Sequence, residues 1–292
     1  MEAIATHPGV PSPIVSADAR SALEDLLESI EAMPEGATGA LSFQTQSESV
    51  GSVMVESGRI CWAAVSGYGR RLTDLLAAES TPRLDFTAIQ RVFNECRLSG
   101  LPLGQTLVAR GIVSAERLRC TLLQHTAESL DALVGTGLRP AWVPRTHRGY
   151  NPQFTFSTGE VLASYGALAV GQGCQVARDA LSEFCREDAY GIVFVRALGS
   201  AQPIPIQILD PDPLSASTLV ALGKWTLGML DVCAAFSDSL NTLVTLQHGQ
   251  RNFIAWRQSE DLFYVAFPHG AAAAHRIIGR RLRLTEELRS SR

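Results

Sequence analysis

Few side chains in this sequence combine the types and spacings that chemistry needs. Histidine occurs at positions 7, 125, 147, 248, 269 and 275, and cysteine at 61, 96, 120, 174, 185 and 233. No two cysteines form a Cys-x-x-Cys pair, and most fall inside amphipathic segments, where a free cysteine acts as a small buried hydrophobe. Neither a zinc site nor a disulfide framework is expected. His248, Ser259 and Asp261 supply the residue types of a catalytic cluster. They sit in two successive hairpin turns, however, which antiparallel pairing places at opposite ends of the strand between them. The motifs Gly-x-x-x-x-Gly-Lys-Ser/Thr, Gly-x-Ser-x-Gly and His-Glu-x-x-His are absent, and Gly67-Tyr68-Gly69 is too short for a dinucleotide loop. No catalytic residue, metal or cofactor is expected. Arg276, Arg280 and Arg283 recur at helical spacing and form a basic stripe. Balanced by Glu286 and Glu287, it reads as a solvated face rather than a nucleic-acid or lipid site.

Composition narrows the class further. The chain has 292 residues, too many for one small domain, with 46% hydrophobic and 18% charged residues. The net charge of −4 is carried entirely by residues 1–168, with 13 basic and 17 acidic groups; residues 169–292 balance at 12 of each. Neither half has the basic excess that a phosphate backbone requires, so nucleic acid is excluded as a partner. Lys224 is the only lysine. No apolar run reaches the roughly 18 residues of a membrane span, and the first residues lack the basic and apolar regions of a signal peptide. A cytoplasmic protein with no membrane insertion is expected.

The elements that would position these residues centre on Leu214 to Phe236. At about 100° per residue, Leu219, Val220, Leu222, Trp225, Leu227, Met229, Leu230, Val232, Cys233 and Phe236 cover roughly 240° of this helix, leaving a polar window at Lys224 and Asp231. A helix lying on one sheet needs a stripe only somewhat over 100° wide. The pattern therefore predicts two covers, the chain's own sheet and, most simply, a second copy of the chain, the alternative being a helix of the N-terminal half. Asn241 to Gln247, Arg251 to Arg257 and Leu262 to Phe267 read as three antiparallel strands with short polar breaks, and Ala271 to Leu284 as a closing helix. Upstream, Cys174 to Arg186 is an amphipathic helix, and Tyr190 to Ala197 and Ile204 to Leu209 are strands around a Gly199-Ser200 break. Pro205 sits near the start of the second of these, where a missing donor is tolerated.

This order, a helix, two strands, a helix, three strands and a helix, together with the apolar second helix, resembles the roadblock (dynein light chain) family over about residues 172–288. The resemblance implies a small α/β/α sandwich and homodimerisation through the second helix and the strand after it. The corresponding interface residues are Leu219, Leu222, Trp225, Met229, Val232, Phe236, Leu243 and Val244, with Trp225 and Met229 as anchors. It also implies service as a platform or regulator for a Ras-like small GTPase.

The N-terminal half has a different pattern. Residues 1–16 hold three prolines and no apolar period, and are expected to be a disordered arm. Ser16 can cap a helix with Leu23, Leu26, Leu27, Ile30 and Met33 on one face. A β-meander follows, from Gly39 to Thr45 and from Gly51 to Val65, with a tight turn at Gly58. The segments LEDLLESI, TGALSF, VMVESGRICWAAV and RLTDLL resemble the PATAN domain of bacterial signalling proteins, which implies regulation through protein contacts. Residues 84–134 read as wholly helical. Within them LPLGQTLVARGIVSAERLRCTLLQH resembles the N-terminal module of type II secretion ATPases, a packing and docking motif, and internal packing is its expected role here, with docking of a partner the alternative. Residues 135–152 read as a loop, 154–156 as a strand returning to the first sheet, 159–167 as a short helix, and Ala169 to Gly173 as a hinge.

The expected fold class is α+β in two domains. Residues 17–168 form a β-meander with a helical insert, and residues 169–292 an α/β/α sandwich with a five-stranded antiparallel sheet. The expected function is a non-catalytic bacterial signalling adaptor. Two other readings are open: an accessory that binds a receiver or kinase of a two-component or chemotaxis-type pathway, and a small-molecule sensor or hydrolase with a pocket between the domains.

Overall fold

Four leucine and isoleucine side chains at helical spacing, Leu23, Leu26, Leu27 and Ile30, line the buried face of the first helix, α1 (Ala17–Glu31). The computed structural model describes residues 17–67, 71–78, 85–99, 103–146, 149–171, 173–196, 202–209, 214–236, 242–248 and 251–290. The expected arm at 1–16 with its Ser16 cap, the Gly199-Ser200 break, His7, His147, Tyr68, Gly69 and Gln172 lie outside these residues. Internal contacts divide the chain into two units, one of Asp18–Val161 and one that begins at Leu162. Both are mixed α and β with antiparallel sheets, of four strands in the first and five in the second.

In the N-terminal unit β1 (Thr38–Gln44), β2 (Ser49–Glu56) and β3 (Arg59–Val65) form the meander. The β2–β3 turn places both Ser57 and Gly58 at positive φ, 53° and 74°, which glycine tolerates without a Cβ clash. Four helices follow: α2 (Leu72–Ala78), α3 (Phe86–Ser99), α4 (Leu103–Ala109) and α5 (Ala115–Gly135). The Ser114 hydroxyl caps α5 by accepting from the Arg117 N–H at 3.2 Å, and Gly111 takes φ 65° at the end of α4.

The fourth strand is not where the sequence places it. It is β4 (Ala141–Pro144), inside the segment expected to be a loop, and it pairs antiparallel with β1 to give the order β3-β2-β1-β4. Of residues 154–156, Phe156 alone joins the sheet, as an isolated bridge to Ile60. A four-residue edge strand bounded by Pro140 and Pro144 is too short to show a period, and an edge tolerates proline where an inner strand does not.

The second half of the chain contains α7 (Gly173–Cys185), β5 (Ala189–Arg196), β6 (Pro203–Leu209), α8 (Ala216–Ala234), β7 (Leu243–His248), β8 (Arg251–Arg257), β9 (Leu262–Pro268) and α9 (Ala271–Ser290). It is preceded by α6 (Thr158–Val170). The sheet order is β6-β5-β9-β8-β7. Alternation along the strands divides the core in two. Val193, Val195, Trp256 and Tyr264 join Leu181 and Phe184 of α7 and Ile277 of α9 on one face. Ile192, Phe194, Ala255, Phe263 and Val265 join Leu219, Leu227 and Leu230 of α8 on the other. The result is the expected α/β/α sandwich, with both sheet faces covered and an apolar run in each inner strand. Pro205 lies in the edge strand β6, opposite a register shift at Val193/Phe194, where no ladder bond depends on it.

Candidate interaction surface

Ser215 starts α8: its hydroxyl accepts the Thr218 N–H at 3.3 Å. The face turned to the sheet carries Leu219, Gly223, Thr226, Leu227 and Leu230, all buried. A Cβ on Gly223 would come within 2.9 Å of the Phe194 ring and 3.0 Å of the Pro203 ring, so glycine is what lets the helix sit this close. The other face has little cover. Trp225 is 49% exposed, Val232 63% and Phe236 86%, while Leu222 and Met229 are half-buried. Between them Gly228 opens onto free space, with nothing within 4 Å of where its Cβ would lie. An interior helix glycine costs roughly 0.5–1 kcal/mol against alanine, and no neighbour among the described residues requires it here.

The polar window expected on α8 is only partly polar surface. Lys224 is exposed, but Asp231 accepts a hydrogen bond from the buried Arg257 of β8 at 2.5 Å and so ties the helix to its own sheet. Beside this helix face runs β7, the outermost strand of the sheet, with Leu246 41% exposed. Trp225 meets Phe253 of β8 edge-on at 5.2 Å, and Val244 of the edge strand β7 packs against the same core under α8.

The expected interface residues separate into three groups. Trp225, Val232 and Phe236 are exposed, and Leu222, Met229 and Val244 are partly exposed on the α8 side. Leu219 is fully buried against the chain's own sheet, because it shares a helix face with Gly223 and Leu230. Leu243 points to the opposite sheet face and packs in the core under α7 and α9, since successive strand residues alternate. Both are corrected to core positions. Leu246, two residues beyond Val244 and the last residue of the strand stretch Leu243 to Leu246 expected at the interface, is the exposed one.

The residues with chemical potential are spread apart. The hairpin turns after His248 and before Leu262 lie at opposite ends of β8, and the His248 side chain is outside the described set. Burial pushes the Cys185 thiol up to about 12; burial and then the Glu56 carboxylate do the same to Cys61. Both thiols stay protonated and unreactive at neutral pH. Among the described residues no three His, Cys, Asp or Glu side chains gather as a metal site, and no helix is long and apolar enough to cross a membrane.

Two arginines of the α9 stripe pair with Asp188. Arg276 donates to Asp188 Oδ1 through Nε at 2.9 Å, and Arg280 donates to Asp188 Oδ2 at 2.5 Å and to the Phe184 carbonyl at 2.7 Å. The side chains of Glu286 and Glu287 lie outside the described set. Asp188 thus clamps the α7–β5 turn to α9, and the Arg276 guanidinium, followed by that of Arg280, holds its carboxyl down to about 2, from an ordinary 3.8. A depressed carboxylate pKa contributes stability that is complete above the unfolded value and is lost as pH falls toward the folded one. Asp188→Asn should therefore unfold at a lower temperature than the parent at pH 7. In calorimetric scans the gap should narrow below about pH 4 and close near pH 2.

Neither the protein-family models nor the curated proteins give a match to this chain.

Proposed function

We propose that this chain is a non-catalytic bacterial signalling adaptor of the cytoplasm, which pairs with a second copy through α8 and β7 and acts on a Ras-like small GTPase. The observation that carries the reading is the half-covered face of α8 lying next to an open sheet edge. Trp225, Val232 and Phe236 form an apolar stripe that would be costly to leave in water on a monomer. A two-fold axis beside β7 covers this stripe with its own copy, while the two β7 strands extend one sheet into the other. Cys61 and Cys185, held protonated by burial, and the dispersed histidines favour binding over turnover.

The test uses the intact chain as bait in lysate, once with GDP and once with a non-hydrolysable GTP analogue, while sedimentation gives its oligomeric state. The reading predicts a dimer that enriches a small GTPase in one nucleotide state. Capture of receiver or kinase proteins regardless of nucleotide would transfer the function to the N-terminal unit. A monomer would remove the basis of the proposal.

A further inference from the structure

The N-terminal unit contains a cavity of about 880 Å³, within the span of small-molecule sites. It lies between β3, α2, α3, α4 and α5, and the segment around Tyr150 to Phe154 lines it as well. Its walls are largely apolar, with Trp62, Phe93, Leu118, Leu122 and Phe154 as the large contributors. Among the described residues two charged side chains line it, Arg71 and Arg97, both exposed, and no aspartate or glutamate does. Among the described residues neither guanidinium forms an ion pair.

One polar group of the lining is buried without a partner. His125 of α5 is 9% exposed, and its Nδ1 is buried with no hydrogen-bond partner. The ring stacks on Trp62, with centroids 4.5 Å apart and planes 18° from parallel. A buried polar atom without a partner costs stability that packing alone does not require. Burial, partly offset by Glu128, lowers the pKa of this ring and keeps it neutral. The fixed positive charge around the cavity is therefore that of the two arginines.

From this arrangement we infer that the cavity binds an organic carboxylate with an apolar body: the body against Trp62, Phe93 and Leu122, the carboxylate between Arg71 and Arg97. Guanidinium groups bind carboxylates through paired N–H donors, which gives direction as well as charge. A lining with two cations and no acid rejects an amine of the same shape. An acyl chain and an aryl ring satisfy the same walls, and the choice of probe distinguishes them.

Sodium decanoate, 2-naphthoate and decylammonium are titrated calorimetrically into the full-length protein, below the micellar range of the chain amphiphiles. The expected result is saturation by at least one of the two carboxylates at one molecule per chain, and no comparable binding of decylammonium. Saturation by decanoate alone identifies an acyl ligand, and by 2-naphthoate alone an aryl one; either supports the site. In the Arg71→Ala, Arg97→Ala double variant, affinity should fall by at least about tenfold, while exposure of both positions leaves the thermal midpoint unchanged. Ala64→Trp, which fills the cavity from β3, should abolish binding. Equal binding of decylammonium, undiminished binding by the double arginine variant, or many equivalents per chain would each refute the site. None of these outcomes depends on how α8 pairs, so the adaptor reading and this site succeed or fail separately.

Discussion

A chain carrying Val232→Asp and Phe236→Asp should sediment as a monomer at concentrations where the parent is a dimer. Both positions are more than half exposed on the single chain, so the substitutions leave the intrachain core of Leu219, Leu227 and Leu230 intact. Their effect belongs to the paired state, where each carboxylate would be taken out of water without a cation. The penalty for a buried unpaired charge is several kcal/mol even after relaxation, and each 1.4 kcal/mol is tenfold in affinity. The dissociation constant should rise by at least about a hundredfold. Trp225→Asp should act in the same direction, with an added local cost because Trp225 rests on Phe253. A double variant that remains dimeric would place any interface elsewhere.

The second large effect is on stability. Trp256→Ala removes a fully buried indole that stacks on Tyr264 at 5.2 Å and meets Phe184 edge-on at 5.1 Å. Truncations of this size cost about 3–5 kcal/mol, a large share of the 5–15 kcal/mol that usually separates folded from unfolded domains. Urea unfolding followed by circular dichroism should show the transition of the C-terminal unit at markedly lower denaturant. The Trp256 Nε1 donor has no hydrogen-bond partner among the described residues, so Trp256→Phe loses volume but no bond. Its cost should be less than half that of the alanine variant, and equal costs would mean that ring packing is not what holds this core.

How far the sequence could be read depended on the range over which each signal acts. Local periods were legible: the helix of Leu219, Leu227 and Leu230, the strand pair of Phe263 and Val265 against Tyr264, and the Gly58 turn all express spacings within a few residues. Their order carried the resemblance from which the five-stranded sheet between helical layers was expected. What a local period does not specify is which side of a nearly all-apolar helix meets its own sheet. For that reason Leu219 and Trp225 looked equivalent until Gly223 set the contact against Phe194. The same limit applied to Leu243 and Val244, adjacent residues that take opposite faces. The strand Ala141–Pro144 was hidden by its length and its flanking prolines. The Asp188 clamp joins residues 88 and 92 positions apart, and the cavity gathers side chains from Cys61 to Phe154. Neither produces a pattern along the chain.

The two edges of the five-stranded sheet are unlike. One is β6, where Pro203 and Pro205 withhold two backbone donors; the other is β7, which contains no proline. An edge interrupted in this way is a poor template for a further strand, whereas an uninterrupted one invites pairing. Two copies joined at β7 would make a continuous sheet whose outer strands are both β6, leaving no attractive edge for a third copy. In such a pair the asymmetry would work as a chain terminator: growth would stop at two copies, and the same backbone that could seed a fibre would end in a closed particle.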